Sequence, residues 1–377
     1  MLPFHHFLAG VTPARGAPAS RQGRVSLLGI VVLIAMGAQT ALAQAADHQA
    51  AATSDSTSGL FAALPEHTPL NPVVVARSGL YVQPILPPVA GWTVGVVAEY
   101  GSIVERNLSF PDSYLFDAEL SRLRIQLRRD FSTRWFGVAE WGVAGAQAGF
   151  ADRFFEGYHR LIQFTMEERD TRPRNSYGDR LFVGRHGIAR VRGPHGPLPT
   201  DLRLSVGVRA GNPSSSAPDA VLSQTMLSLT LPAAPARSAY ARGVATVSVL
   251  QTLRVSPAPR LALETAGGVG YSPRHGELSG IQGTTFVIGS GAGRLRLWGE
   301  SAIYATVYGQ RGMYHDSGFP ELDRADLGVD FGYLWRTAGG RQWRVGLTED
   351  VRRRDPGVEQ QPTAGADPDQ RCHRHAE

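Results

Sequence analysis

The chain contains no lysine: all 38 of its Lys+Arg residues are arginine. It has one cysteine, Cys372, so no intramolecular disulfide can support a fold. Beyond the first 45 residues, no stretch approaches the ~20 continuous apolar residues of a membrane-spanning helix. Charge of one sign is also scarce. The formal net charge is +5, and Arg15, Arg21 and Arg24 in a leader without acids account for three of it, leaving +2 for the rest. So weak an excess argues against nucleic acid as a partner. Phosphate-cradling glycine motifs and Cys-x-x-Cys pairs are missing too, and no cofactor is expected. Cys372-His373-Arg374-His375 groups three soft-metal ligand types, but in a polar tail with no second ligand pair, so no metal site is expected there.

What is present begins with an export signal. Arg15, Arg21 and Arg24 form a basic n-region, Leu27 to Met36 an apolar core, and Ala41-Leu42-Ala43 a cleavage site before Gln44. The alternative, an N-terminal anchor, needs more than that apolar core of about 10 residues to cross ~30 Å of hydrocarbon. Residues 1–43 are therefore read as a signal peptide and residues 44–90 as a disordered or lead-in segment. Within the latter, Ala46 to Pro69 is patternless and Asn71 to Pro88 more mixed. An exported chain without helical spans is periplasmic, secreted or a β-barrel.

From residue 91 to 350 the pattern is period two. Leu327, Val329, Phe331, Tyr333 and Trp335 alternate with polar or small residues, a Gly-Gly turn follows, and Trp343, Val345 and Leu347 alternate again. Such alternation faces one row of side chains each way along an extended strand, and the short turn makes an antiparallel hairpin. Similar units recur from Trp92 onward and count to eleven, with connections expected at Arg129–Arg134, Gly211–Leu222, Arg254–Pro259, Gly291–Gly293 and Thr337–Arg341 at one end. That end would carry Trp92, Trp135, Trp298, Trp335 and Trp343 as an aromatic girdle, and Trp141 would not join it.

The fold expected is all-β, an antiparallel up-and-down transmembrane β-barrel of about 12 strands with one helical loop insert. A soluble β-sandwich shows the same period. Against it stand the export signal, the missing cystine, and polar rows rich in charge: Glu119, Arg122, Arg124, Glu264, Arg296, Glu300, Asp326 and Asp330.

The insert spans residues 150–200. Phe150, Phe154, Tyr158, Leu161 and Ile162 recur at helical spacing and predict a helix from Phe150 to about Gln163, which the charged run Glu167 to Arg174 ends. A short hairpin is expected around His186-Gly187. Phe154 and Tyr158 are predicted to pack against a barrel rim or into its mouth. With Phe150, His159, Arg169 and Arg174 they make up the candidate mouth residues. A plain lid over the end is the other reading.

Gly149-Phe150-Ala151-Asp152-Arg153-Phe154-Phe155-Glu156-Gly157-Tyr158-His159 and, ten residues past His159, Arg169-Asp170-Thr171-Arg172-Pro173-Arg174-Asn175 resemble the fingerprint of the domain-of-unknown-function 3187 family. Asp117-Ala118-Glu119, Leu229-Thr230-Leu231-Pro232, Gly318-Phe319-Pro320-Glu321-Leu322 and Glu349-Asp350 fit as well. The resemblance covers about residues 70 to 350. Gln163 departs from it, standing where the family has glycine. It implies an exported Gram-negative outer-membrane barrel and brings no catalytic residues. It also implies an apolar closing strand introduced by a Pro-Asp pair; here Pro368-Asp369 leads into Gln370 to Glu377, which has no alternation. An even strand number is the rule for bacterial barrels. A twelfth strand is therefore expected after Asp350, and the polar tail 351–377 reads as a truncated or frame-shifted form of it; the other reading is that a strand near Asn71–Ile85 or Leu181–Val191 completes the barrel.

The function expected is non-enzymatic: a narrow passive channel, tilted towards anions by interior arginines, or an envelope-scaffolding component. Its expected partners are outer-membrane lipids and lipopolysaccharide and the barrel-assembly machinery, with the solute open. The alternatives are an enzyme acting on lipid or lipopolysaccharide and a periplasmic binding sandwich. His315-Asp316-Ser317 sets hydrolase residue types side by side, but a relay needs members brought from separated positions, so a solvated loop is expected.

Overall fold

The computed structural model describes residues 91–107, 111–161, 172–211, 221–299, 301–336 and 342–350, with residues 70, 72, 85, 86 and 88 besides. Fourteen strands form one antiparallel sheet. They are β1 (Trp92–Asn107), β2 (Ser113–Asp130), β3 (Trp135–Gln147), β4 (Gly178–Val183), β5 (Ile188–Arg192), β6 (His195–Pro199), β7 (Leu202–Ala210) and β8 (Val221–Leu231). The rest are β9 (Thr246–Ala258), β10 (Leu261–Tyr271), β11 (Thr285–Arg296), β12 (Ser301–Gln310), β13 (Asp326–Arg336) and β14 (Gln342–Asp350). Eleven of these are the long strands that period two predicts. The short β4, β5 and β6 belong to the insert.

Each long strand pairs with the next, and β3 pairs with β7 across the insert. The long β2 outruns β3, and β4 takes the place beside its far end. Among the described residues, no ladder joins β14 to β1. The sandwich alternative needs two facing sheets, whereas every strand here belongs to one. The expected twelfth strand, the polar tail and the signal peptide lie outside the described residues.

Two turns differ from expectation. Arg254 to Ala258, expected in a connection, stay in β9, with Arg254 opposite Glu264, and the chain reverses between Ala258 and Leu261. The β11–β12 hairpin reverses between Leu297 and Ser301, where Leu297 N–H donates to the Ser301 carbonyl at 3.0 Å and Ser301 N–H to the Trp298 carbonyl at 3.0 Å. Gly291 and Gly293 stay in the ladder, opposite Thr265 and Leu263 on one side and Val307 and Ala305 on the other. Partners on both sides hold that backbone extended, and neither glycine takes the positive φ of a turn. The hairpin expected around His186-Gly187 is β4–β5.

The two faces of the sheet reverse the order of a water-soluble protein. Every long strand presents apolar side chains on its exposed row: Val94 and Val96 on β1, Leu123 and Ile125 on β2, Leu227 on β8, Val287 on β11, Phe331 on β13 and Val345 on β14 are examples. The covered row carries Arg122, Arg124, Arg128, Glu140, Arg203, Arg209, Arg254, Glu264, Arg294 and Asp330, all buried. Trp92, Trp135, Trp298 and Trp343 are exposed at one end of the strands, where Trp335 stacks on Trp343 with ring centroids 6.2 Å apart. Trp141 sits mid-strand. At the loop end, Tyr100 and Tyr271 are exposed on the same apolar face.

Close packing inside needs small residues at set places. Phe286 lies directly opposite Gly270, fully buried, and its ring occupies the volume a Cβ at Gly270 would need. The sheet also curls. Tyr114 on the covered row of β2 meets Phe319, from the β12–β13 loop, with ring centroids 6.0 Å apart.

Candidate functional site: a charged interior below a loop vestibule

Three layers occupy the covered side. At the loop end, the β4–β5 hairpin and the loops before β9, before β11 and before β13 enclose a cavity of about 680 Å³. Arg190, Arg192, Arg237, Arg242 and His275 line it together with Asp179 and Glu277, and Tyr114, Phe116, Leu181, Leu278, Tyr314 and Leu322 supply apolar wall. Arg190 Nη2 donates to Asp179 at 2.9 Å, and Arg192 Nη1 to the Ser238 carbonyl at 3.1 Å. Burial, and then the charge of Arg190, hold the Arg192 guanidinium below the ordinary arginine value. Burial with the charge of Asp179 pushes the Tyr177 hydroxyl up to about 12.

Arg242 links this vestibule to the layer beneath. Its Nη1 donates to Asp201 at 3.1 Å, and it also lines a space of about 20 Å³ with Arg122, Arg124, Glu140 and Tyr240. That space suits a single water. Register places the charges here: Glu99 lies directly opposite Arg122, and Glu140 opposite Arg203. Arg122 grips Glu99 through Nε at 2.7 Å and Nη2 at 2.9 Å. Arg124 reaches Glu99 at 3.1 Å and Glu140 at 3.2 Å, and Arg203 reaches Glu140 at 2.9 Å. A forked pair of this kind fixes both partners far better than a single surface contact.

The third layer lies near the tryptophan end. Arg254, opposite Glu264, holds it through Nε at 2.8 Å and Nη2 at 2.7 Å. Arg209 pairs with Asp130, which Arg128 Nη2 also reaches at 3.0 Å. The Arg128 and Arg209 guanidinium carbons lie 4.8 Å and 4.6 Å from the centroid of the Phe136 ring. Arg294 is buried, and its Nε and Nη1 find no hydrogen-bond partner among the described residues. Four arginines thus meet two carboxylates, Asp130 and Glu264, at this level.

The lead-in segment enters the same interior. Ile85 is fully buried, and its carbonyl accepts Arg254 Nη2 at 2.6 Å; the Leu86 carbonyl accepts Arg128 Nη2 at 3.3 Å. At the other end of the interior, the Leu70 carbonyl accepts the Tyr240 hydroxyl at 2.7 Å. Nothing in the alternation pointed to these contacts. The only cue was the more mixed composition of residues 71–88 beside a patternless leader.

The predicted mouth residues lie elsewhere. The helix α1 (Asp152–Leu161) is joined to the outer rows of β1, β2 and β14 at Ser102, Glu119 and Glu349. Its start is tied to the outer row of β1 and β2. Glu119 accepts the backbone N–H of Phe150 at 2.8 Å and of Ala151 at 2.6 Å, and Ser102 donates to Asp152 at 3.3 Å. Gly149, at φ +75°, turns the chain here, and any side chain on it would strike the Glu119 carboxylate. Asp152 also accepts the Asn175 N–H at 2.6 Å.

The far end of α1 meets β14, with His159 Nε2 3.8 Å from Glu349 and Tyr158 raised in pKa by burial and then by the Glu349 charge. Phe154 is 69% exposed and Phe150 74%, so the expected packing of Phe154 against a rim or into a mouth is corrected, while Tyr158 stands beside Glu349 at the end of β14. The physical reason is that α1 is tied to the sheet through polar contacts, at Ser102, Glu119 and Glu349, which leave Phe154 outward. Arg174 pairs with Glu156 at 2.6 Å, and Arg169 lies outside the described residues.

His315, Asp316 and Ser317 do not converge. His315 Nε2 faces the Gln282 carbonyl at 3.0 Å, the Ser317 hydroxyl donates to the Phe319 carbonyl at 3.2 Å, and Asp316 faces Arg185. No cluster of His, Cys, Asp or Glu among the described residues is arranged to hold a metal.

No family model and no curated protein matches the chain. Among solved structures it is similar to the crystal structure of an outer membrane channel from Pseudomonas putida F1. The two are 11% identical, with 70% of this chain and 89% of that chain covered and a TM-score of 0.45.

Proposed function

We propose that this chain is a non-enzymatic outer-membrane β-barrel protein that works as a narrow passive channel favouring anions. The observation that carries the reading is the reversal of the two faces. Moving one Val- or Leu-sized side chain out of water is worth roughly 1.5–3 kcal/mol. About twenty such side chains on the exposed row would therefore cost tens of kcal/mol in water. A domain's net stability is only ~5–15 kcal/mol, so the solvent of that face is hydrocarbon. From Trp92 to Tyr100 the row runs about 26 Å along the strand at ~3.3 Å per residue. Tilted by 35–45°, it spans roughly 20 Å, near the ~25 Å band of outer-membrane barrels.

In this reading the wall closes on itself. Both edge strands, β1 and β14, are touched by the one ten-residue helix α1, about 15 Å long, and unpaired strand edges do not persist in lipid. The leader directs export, and the barrel-assembly machinery inserts the chain among outer-membrane lipids and lipopolysaccharide. The likeness to the domain-of-unknown-function 3187 family fits this placement. Anions are favoured because four arginines against two carboxylates leave positive charge at the tryptophan end of the interior.

The experiment is planar-bilayer recording of the refolded protein in asymmetric salt. Small unitary currents with a reversal potential on the anion side are expected. Absence of any conductance, in protein whose gel mobility shifts on boiling, would remove the channel and leave a scaffolding barrel.

A further inference from the structure

The vestibule is built differently from a plain pore mouth. Its 680 Å³ falls within the ~300–1,000 Å³ range of small-molecule sites. It has an apolar wall of Tyr114, Phe116, Leu181 and Leu278, and a cationic wall of Arg190, Arg192, Arg237 and Arg242. The carboxylates offset these cations only in part. Asp179 is held by Arg190, although it stands across the ladder from Arg192, Asp201 is held by Arg242, and Glu277 is the other carboxylate on the cavity wall. Arg192 spends one donor on a backbone carbonyl and makes no ion pair among the described residues. A half-buried guanidinium in that position is stabilised by an arriving anion, because desolvation has already raised its free energy.

We infer that the vestibule is a binding site for an organic anion with an apolar body, such as an aromatic carboxylate, held by Arg192 and Arg237 with its ring against the tyrosine and leucine wall. The inference deepens the channel reading, since it names what enters; whether the molecule then crosses depends on that reading alone. Inorganic anions lack the apolar half, and organic cations meet the wrong wall. Two-sided recognition of this kind turns a non-selective mouth into one that concentrates its solute before the narrow charged layer under Arg242.

The test is calorimetric titration of the refolded protein in detergent with 2-naphthoate, acetate and 2-naphthylmethylamine, separate from any current measurement. Saturable naphthoate binding is expected, with acetate and the amine at least tenfold weaker. Arg192→Ala with Arg237→Ala should weaken naphthoate at least tenfold, while Arg311→Ala, on a nearby loop outside the cavity, should not. Each variant is checked for heat-shifted gel mobility, and Arg237→Ala alone, at an exposed position, serves if the double variant misfolds. Equal binding of amine and carboxylate, no saturable binding of naphthoate, or unchanged affinity in folded Arg variants would overturn the site. Binding without conductance would refute the channel and leave the site standing; conductance without binding would do the reverse.

Discussion

Arg254 donates to the carbonyl of Ile85 across a gap of 169 residues, at 2.6 Å, while the same guanidinium grips Glu264. One buried side chain thus ties the strand wall to the segment that precedes it. Replacing Arg254 by Ala breaks a buried pair and leaves Glu264 with only the neighbouring charge of Arg294, and breaking a buried pair typically costs up to about 3–5 kcal/mol. The urea midpoint of unfolding, followed by tryptophan fluorescence in detergent, should fall accordingly. Adding Glu264→Gln should recover much of the loss, and no recovery would mean that the pair is not the source.

Ile85 and Leu86 take up space and donors at the arginine-rich level. Deleting residues 70–88 should therefore raise unitary conductance several-fold and free Arg128 and Arg254 for solute anions. A variant with unchanged conductance would show that the ions pass elsewhere.

The tryptophans report depth. In single-tryptophan variants, the Trp298 fluorescence should be quenched best by lipids labelled near the headgroup. Trp141 should be quenched best by labels deep in the chains. The same quenching order for both would contradict the assignment of the apolar row to hydrocarbon.

The insert helix separates two effects. Asp152 is buried and accepts from Ser102 and from the Asn175 backbone. Asp152→Ala leaves that N–H unsatisfied, at about 1–3 kcal/mol, and should speed proteolysis of the insert without unfolding the strands. Phe154→Ala should leave proteolysis in detergent unchanged, because the ring is exposed there.

Gly270→Val is expected to fail more severely than its position in a strand suggests. The Phe286 ring fills the place of the new side chain, and overpacking of this kind costs typically 1–3 kcal/mol. The pair Gly270→Val with Phe286→Ala should fold better than Gly270→Val alone, measured by the same urea midpoint.

Period two made the eleven long strands legible, because a sheet whose two faces differ in polarity writes its geometry directly into alternate residues. The ion pairs were half legible. Arg122, Arg124 and Glu264 stood out as charges on the covered row, but their partners follow from register, which alternation alone leaves open. The β11–β12 turn was misplaced because Gly291 and Gly293 resemble turn residues until their cross-strand neighbours are known.

Helix α1 showed its period but not its direction, since apolar spacing says that a face is covered and not by what. The vestibule could not be read at all. Arg190, Arg237, Arg242 and His275 come from three connections with no common period, and only the fold brings them to one cavity.

The contact of His159 with Glu349 also bears on register. The two positions lie 190 residues apart in the chain, and the start of the helix is anchored on β1 and β2 through Ser102 and Glu119. The outer row of β14 therefore meets a fixed ledge instead of a free edge, and Glu349 seats in one alignment. A slip of one residue would turn Glu349 inward and Thr348 towards the helix, breaking the contact. The insert thereby acts as a gauge for the last hairpin, set by the first two strands of the wall.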